Sequence, residues 1–415
     1  MWDPYESFKT IVLDNGLRLH IAVWDRPWEI MAFRIGSGAY KDPQGCEGVA
    51  HFVEHLVSAN VSWETDEIEK FFDELGGNVN LGVTSYLDTR YSFKAPLENT
   101  VITKAISIFG EMLVGAKLVK RIEEERQIIK SEFNRSCPLP IFYTLNLHRS
   151  KALYGESRQG KIPWVLGDLD TIQKITPTDI QEFYDNHYFP GNMDVIAIGG
   201  MNLADVKENF LRSQFSSLKK GEENSNGIYT YSPPLENRLE FKISEHFSEQ
   251  KGNNCNYYSS AVIPAELSFV SIQILVDMLS LKLFREVREK RSLAYAINVN
   301  TRNYLRLYEL NIECAGINAE YLSSIEDIFN NCIDSLASDN ELLERCKRTC
   351  IAKTLMSDPT ASSVCNYALA DLSLFSRIIT IGEYIDKIQG ISIADIAKAV
   401  EYLAVKRRYT RIEVP

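Results

Sequence analysis

Residues 48–58 read GVAHFVEHLVS and contain the pentapeptide His51-Phe52-Val53-Glu54-His55, which we expect to lie on a helix. Side chains four residues apart lie on one face of a helix, so His51 and His55 could bind one metal ion. Glu54 lies three residues after His51, beside that face, where it could hold and deprotonate a water molecule. This order, HxxEH, is the reverse of HExxH, in which two histidines hold zinc. The alternative interpretation is a helix with two surface histidines and a solvated glutamate.

The segments around this helix predict strands. The runs 10–13 and 18–24 flank Asp14-Asn15-Gly16, a turn signal between two β-rich stretches. Another such run precedes the helix at residues 30–35, and residues 78–96 are rich in Val, Thr and Tyr and predict two strands. In the second half, strands and helices follow in a similar order, near 238–244, 257–263, 266–290 and 294–314. This order suggests a duplicated architecture, although no exact sequence repeat is visible.

The length of the chain predicts two domains. It has 415 residues, of which 45% are hydrophobic, and that is enough for more than one buried core. The stretch 216–236 is polar and rich in residues that break helices and strands, so we predict a linker at 221–234. One domain then covers residues 1–220 and the other covers 235–415.

Charge and composition exclude several classes of protein. The net charge is −11, from 45 basic and 56 acidic residues, and a nucleic-acid partner would need a basic surface. No run of about 18 uncharged apolar residues occurs, so we expect no membrane span. The N-terminal residues show no secretory signal, and the eight cysteines have no CxxC spacing. We therefore expect free thiols and a cytoplasmic location.

A third metal ligand is needed to complete a catalytic zinc site. Residues 121–135 read RIEEERQIIKSEFNR, in which Glu125 and Glu132 are seven residues apart and so share a helical face. Apolar residues run beside that face, and a carboxylate in such surroundings is costly without a partner. The alternative is an ordinary charged helix edge, and spacing alone does not bring this helix to the first.

The metal motif and its surroundings resemble the pitrilysin family, or inverzincins, which includes insulin-degrading enzymes and mitochondrial processing peptidases. That family carries HxxEH and takes its third ligand from a glutamate further along the chain, and Glu132 follows His55 by 77 positions. The resemblance implies one Zn²⁺ per chain, held by His51, His55 and Glu132. It implies that Glu54 is the catalytic base and that Glu125 supports the ligands from behind.

The resemblance extends to the predicted strand that follows the first two helices. Gly76-Gly77, Thr89 and Tyr91 fit the family pattern there, which implies a substrate-binding edge strand formed by Asn80, Leu81, Gly82, Val83 and Thr84. This chain departs from the pattern in three ways. The interval from Asn80 to Thr84 is one residue longer and predicts a bulge, Leu81 replaces a small residue, and Asn60-Val61 replaces a Gly-Thr pair.

A second set of matching residues lies in the other half of the chain. The segment 284–290 followed by Leu293-Ala294-Tyr295 is similar to the late arginine–tyrosine motif of the family. The matching positions are Arg288 and Tyr295, which the resemblance implies are catalytic and stabilise the oxyanion of the reaction. Without the resemblance, both would be unremarkable surface residues.

The resemblance implies an α+β fold of two similar domains. Each would be a mostly antiparallel sheet packed against helices, and together they would form half of a clamshell. The implied function is that of a short, processing-peptidase-type subunit, a zinc-dependent endopeptidase that cuts short extended peptides inside a dimeric chamber. We expect a homodimer because this chain holds both motifs, and a heterodimer stays open. The alternative is a non-catalytic scaffold or partner subunit of a heterodimeric peptidase. The acidic balance favours basic residues near the cut.

Overall fold

The computed structural model describes residues 3–219, 221, 238–242, 253–304 and 307–414. The described strands, numbered in chain order, are β1 Phe8–Val12, β2 Arg18–Val23, β3 Trp28–Ile35, β4 Asn78–Thr84, β5 Thr89–Pro96, β6 Met193–Gly199, β7 Arg238–Lys242, β8 Asn254–Pro264, β9 Ala296–Tyr304, β10 Leu307–Asn318 and β11 Tyr409–Val414. These bounds confirm the strands predicted from the first hundred residues to within two or three positions.

The described α-helices are α1 Val49–Ala59, α2 Thr65–Glu74, α3 Asn99–Leu113, α4 Ile122–Ser136, α5 Pro140–Tyr154, α6 Arg158–Lys161, α7 Leu169–Lys174, α8 Pro177–His187, α9 Leu203–Arg212, α10 Phe269–Leu283, α11 Leu322–Leu336, α12 Asn340–Met356, α13 Ala361–Phe375, α14 Ile381–Gln389 and α15 Ile393–Tyr402. A π-helical turn, Phe284–Glu289, continues α10. Within the described residues, no helix combines the length and apolar character needed to cross a membrane. All eight cysteines are free thiols.

The chain divides into two compact units, each discontinuous in sequence. Unit 1 consists of Met1–Pro138, Trp164–Gly227 and Asp358–Ile381, and unit 2 consists of Leu139–Pro163, Ile228–Ser357 and Gly382–Pro415. Segments 139–163 and 358–381 therefore depart from the predicted assignment of 1–220 and 235–415 to one domain each. The predicted linker at 221–234 lies outside the described residues except for Gly221.

Burial of apolar surface explains why these two segments leave their neighbours in sequence. In unit 1, Val364 and Leu372 of α13 belong to a buried cluster with Ile196 and Ile198 of β6. In unit 2, Leu153 of α5 belongs to a buried cluster on β8, β10 and β11. Burying one such side chain is worth about 1.5–3 kcal/mol, so each helix is assigned by the sheet it covers.

The sheets of the two units share one strand order. In unit 1 the order is β1-β2-β6-β3-β5-β4, and in unit 2 it is β7-β11-β8-β10-β9. The pairs β2–β6 and β7–β11 are parallel, and the remaining pairs are antiparallel. From β2 onward, each strand of the first sheet therefore has a counterpart of the same sense in the second. This confirms the expected fold of two similar α+β domains with mostly antiparallel sheets.

Candidate metal centre

Helix α1 carries the histidines, and its start is tightly specified. The N–H groups of Gly48 and Ala50 donate to the two carboxylate oxygens of Asp42, at 2.7 and 3.0 Å, which caps the helix. Gly48 has a φ of +100°, and a Cβ there would stand 2.2 Å from the carbonyl oxygen of Leu166. Only glycine fits this position, so the helix begins where the motif needs it. The apolar side of α1 is fully buried, which leaves the polar stripe facing a pocket.

Helix α4 lies beside α1 within unit 1 and carries the third candidate ligand. Its apolar residues Ile129 and Phe133 are buried, which brings the same face of the helix into the unit. The guanidinium of Arg126 packs over the ring of Phe52 on α1, 5.1 Å from its centroid, and donates to the carbonyl oxygen of Ile175 at 2.9 Å. The first contact joins α4 to α1, and the second joins α4 to the residue that follows α7. The structure therefore brings α4 beside α1, which spacing alone could not show.

Three candidate ligand atoms converge between the two helices. The Oε2 atom of Glu132 lies 3.7 Å from Nε2 of His51 and 3.6 Å from Nε2 of His55. One ligand atom from each of the three residues lies within 4.8 Å of the other two. Tetrahedral coordination with bonds of about 2.0–2.2 Å places ligand atoms roughly 3.4 Å apart. Two nitrogens and one carboxylate oxygen at this spacing fit Zn²⁺ in both size and donor type.

Glu125 holds His55 from behind the cluster. Its Oε2 atom accepts a hydrogen bond from Nδ1 of His55 at 3.0 Å, so the Nε2 lone pair faces the other ligand atoms. Arg121 reaches the other oxygen of Glu125, with an Nη2–Oε1 distance of 3.5 Å. Burial lowers the pKa of His55, but the bond to Glu125 and the surrounding carboxylates outweigh it, and the net shift is upward.

His51 is in a different environment from His55. Its Nδ1 atom is buried and has no hydrogen-bond partner among the described residues. Burial, together with the charge of His55, lowers the pKa of His51 to about 3. The ring is therefore neutral near pH 7, which is the form that binds a metal ion.

Glu54 is buried beside the cluster, where its carboxylate meets the edge strand. Its Oε2 atom lies 3.8 Å from Nε2 of His51 and accepts a hydrogen bond from Oγ1 of Thr84 at 2.9 Å. A Cβ at Gly82 would stand 2.2 Å from Oε1 of Glu54, so the backbone of β4 lies directly against the carboxylate. Burial raises the pKa of Glu54, and the bond from Thr84 opposes this shift. The sequence identified Thr84 only as a substrate contact.

Strand β4 is the last strand of the described sheet in unit 1, so its outer edge has no partner among the described strands. The register passes from Asn80 opposite Ser92 to Val83 opposite Arg90, which leaves one extra residue on β4. This is the bulge that the long interval predicted. Within it, the N–H of Gly82 donates to Oδ1 of Asn80 at 3.0 Å. Leu81 lies inside the bulge and is partly exposed.

Arg288 and Tyr295 lie next to each other in unit 2. The guanidinium of Arg288 stands 5.8 Å from the ring centroid of Tyr295 and 5.3 Å from that of Phe284. Tyr295 is 79% exposed, although a tyrosine usually buries most of its ring. The π-helical turn that carries Arg288 is a feature often found at functional sites. The two residues thus form one exposed group on their own unit.

A pocket of about 330 Å³ opens at the cluster within unit 1. His51, Thr84 and Glu132 line it, and Arg135, Ser136, Val165 and Leu166 complete the lining. Sequence reasoning missed these last four. Arg135 follows Glu132 by one helical turn, a spacing that points to the same face. No comparable signal marks Val165 and Leu166, because their loop reaches the pocket only through the fold.

Comparison with known proteins finds family matches in both halves of the chain. Residues 30–156 match the family described as Insulinase (Peptidase family M16), and residues 174–350 match the Peptidase M16 inactive domain. The chain is 26% identical over 279 residues to the probable zinc protease PqqL of Escherichia coli, a match covering 64% of this chain and 29% of the relative. It is 27% identical over 306 residues to an uncharacterized zinc protease of Rickettsia felis, covering 72% and 71%.

The fold has close counterparts among solved structures. The periplasmic protease PqqL from Escherichia coli superposes with a TM-score of 0.78 at 18% identity, over 99% of this chain and 48% of that one. This chain thus spans about half of that protein, and the sequence match covers 29% of its curated length. The likeness in structure shows the fold, and the sequence matches show the family. The chain belongs to peptidase family M16, the pitrilysin-like insulinase family.

Proposed function

We propose that this chain is a zinc-dependent endopeptidase of the HxxEH type that cuts short, extended peptides. The observation that carries the proposal is the triangle formed by Nε2 of His51, Nε2 of His55 and Oε2 of Glu132, with the Glu54 carboxylate beside it. These residues lie inside the range matched by the insulinase description, and the Escherichia coli and Rickettsia felis relatives are named zinc proteases.

His51, His55 and Glu132 would hold one Zn²⁺ per chain. When bound, the ion supplies Lewis-acid polarisation of the peptide carbonyl. Glu125 contributes by holding the His55 ring in the orientation that presents Nε2. Arg121 in turn keeps the Glu125 carboxylate in place.

Glu54 would act as general base and then as general acid. It takes a proton from the attacking water and returns that proton to the leaving amine. Burial raises its pKa, which makes the carboxylate a better proton acceptor than one in water. Thr84 donates to one of its oxygens and so fixes the direction of the other.

The substrate would bind as an added strand on the outer edge of β4. An extended peptide pairs there with backbone groups of the segment 80–84, which gives affinity without a strict sequence requirement. The bulge places Gly82 against Glu54, so the peptide backbone would pass close to the general base.

The exposed pair of Arg288 and Tyr295 would stabilise the oxyanion that forms during cleavage. We propose that the pair serves the metal centre of a second copy, in a homodimer that encloses the site. Mixing Glu54→Gln subunits with subunits that carry Arg288→Ala and Tyr295→Phe should then restore part of the activity. If a verified mixed dimer shows no recovery of activity, the proposal of a site shared between two copies is contradicted. The proposed zinc site is not affected by that result.

The central experiment compares the purified protein with its Glu54→Gln variant. Zinc content is measured by elemental mass spectrometry and cleavage by profiling a peptide library. We expect about one zinc per chain in both proteins and cleavage only in the wild type. The matched control is Glu124→Gln, the same change at an exposed position of α4. Cleavage that survives Glu54→Gln unchanged would refute the proposal.

A second candidate function is that of a non-catalytic scaffold or partner subunit. The observation in its favour is the match of residues 174–350 to a domain described as inactive. Among the described residues, the candidate metal ligands all lie outside that range. Zinc binding without cleavage, together with a larger complex on gel filtration in cell extract, would support this function over the first.

A further inference from the structure

We propose that the site prefers peptides that carry a carboxylate next to the cleaved bond, and that Arg135 binds this carboxylate. The inference rests on the proposed peptidase function and adds a class of substrate to it. It follows from which charged side chains around the pocket already have a partner and which one does not.

Arg135 lines the metal pocket, and no acceptor among the described residues takes a hydrogen bond from its guanidinium. Its side chain is 76% exposed, and Nη2 lies 3.9 Å from Oε1 of Glu132, which is beyond hydrogen-bond distance. Over the described part of the chain, no other carboxylate oxygen lies within 4.0 Å of it. A guanidinium presents five N–H donors in a planar fork that matches a carboxylate.

The other charged groups at this site are already engaged. Glu132 faces the two imidazoles through Oε2, Glu54 accepts from Thr84, and Glu125 accepts from His55. With a divalent cation present, its charge is balanced by the carboxylates of Glu54 and Glu132. Arg135 is then the lining residue whose charge has no counter-charge of its own.

The remaining wall of the pocket suits the stem of an acidic side chain. Val165 and Leu166 line it with aliphatic surface and are half-buried. A glutamate side chain can lay its methylene groups on such a wall and place its carboxylate at Arg135. A free C-terminal carboxylate offers the same chemistry without the stem, so both sources are tested below.

This local charge argues against the preference for basic residues that the net charge of −11 suggested. Charges farther away than about 8 Å are largely screened at physiological salt. The nearest uncompensated charge therefore governs which side chain binds beside the cut, and that charge is positive.

Binding tests the inference without requiring turnover. The zinc-loaded wild-type protein, in which Glu54 keeps its charge, is titrated with fluorescent peptides that carry Glu or Gln at each of three positions on both sides of a fixed centre whose bond cannot be hydrolysed. In a further pair of peptides, the C-terminus is either a free carboxylate or an amide and lies as far from the centre as the tested Glu and Gln residues. At one position we expect Glu to bind more tightly than Gln, by about two- to fivefold, since the contact is a charge-assisted bond at an exposed site.

The added substitution Arg135→Gln should abolish this discrimination, and Arg135→Glu should replace it with a preference for Lys. Arg212→Gln is the matched control, because Arg212 also lies on a helix of unit 1 and its side chain is 78% exposed. Equal affinity for Glu and Gln peptides would overturn the inference, as would discrimination that survives Arg135→Gln. If only the pair that differs at the C-terminus is distinguished, the carboxylate is terminal.

Cleavage profiling separates failure of the inference from failure of the proposed function. If Glu54-dependent cleavage occurs and Arg135→Gln leaves the cleavage sites unchanged, the peptidase function is supported. The proposed preference for peptides with a carboxylate next to the cleaved bond is then contradicted. If no peptide is cut, but the zinc-loaded protein prefers the Glu peptides and loses this preference with Arg135→Gln, the carboxylate site is supported and the catalytic function is contradicted.

Discussion

The backbone of Gly82 lies against the carboxylate of Glu54, so close that a Cβ at Gly82 would stand 2.2 Å from Oε1. This contact exists because β4 has one residue more than β5 between Asn80 and Val83. The same edge strand therefore serves as the proposed place of substrate binding and as a wall for the proposed base.

Gly82→Ala should impair cleavage while sparing the metal. The added methyl group must displace either the strand or the Glu54 carboxylate, and we expect kcat to fall by about tenfold or more. Zinc content should stay near that of the wild type, because no candidate ligand moves. The control is Gly390→Ala, where a Cβ would meet its nearest atom at an ordinary 3.4 Å. Unchanged kinetics in Gly82→Ala would contradict this prediction, because β4 would then shift without disturbing the Glu54 carboxylate.

Thr84→Val should shift the pH profile of cleavage. The variant keeps the shape of the side chain but removes the hydrogen bond to Glu54, which is 2.9 Å long. That bond lowers the pKa of Glu54 against the larger effect of burial, so its loss raises the pKa further. Because the base must be deprotonated, the acidic limb of kcat/KM should move to higher pH. Thr103→Val, at an exposed hydrogen bond to Asn209, is the control. A limb that stays in place or moves to lower pH contradicts the assignment of Glu54 as the base.

Glu125→Gln should weaken zinc binding. The amide cannot replace the charge that Nδ1 of His55 meets at 3.0 Å, and losing such a partner typically costs about 10–100-fold in metal affinity. The measurement is a competition titration with a zinc chelator at pH 7.5. The neighbouring change Glu124→Gln, at an exposed position on the same helix, should leave the affinity as it is. Equal zinc affinities for the two variants would show that Glu125 does not support the metal ligands.

Glu29 should make unit 1 less stable as the pH rises. Its side chain is fully buried, Oε2 accepts the N–H of Met201 at 3.1 Å, and burial raises its pKa to about 8. Between about pH 4.5 and 8 the folded protein keeps this proton and the unfolded chain does not. The free energy of unfolding therefore falls with rising pH across that window, by about 1.4 kcal/mol per unit from this group.

The measurement is urea unfolding at several pH values between 5 and 8. Glu29→Gln should flatten the decline, because the amide carries no titrating proton, whereas Glu74→Gln at an exposed position should not change it. An equally steep decline in Glu29→Gln would mean that other groups carry the pH dependence.

Much of the metal motif follows from the amino-acid sequence alone. The spacing of His51 and His55 sets both rings on one face of a helix, since the geometry involves only one turn of backbone. The bulge in β4 was predicted only by comparison with the family pattern, in which the interval from Asn80 to Thr84 is one residue shorter. The positions of the strands in the first hundred residues follow from short β-rich runs and turn signals.

Other features depend on contacts between distant segments. Spacing could not bring Glu132 to His51, and it did not show that Thr84 bonds Glu54 or that Arg135 lines the pocket. It also placed α5 and α13 in the domains of their sequence neighbours, whereas each belongs to the other unit. A helical turn or a strand register is a property of a few adjacent residues. Which helix covers which sheet depends on apolar surface buried across the whole chain, and that sum is reached only when the chain has folded.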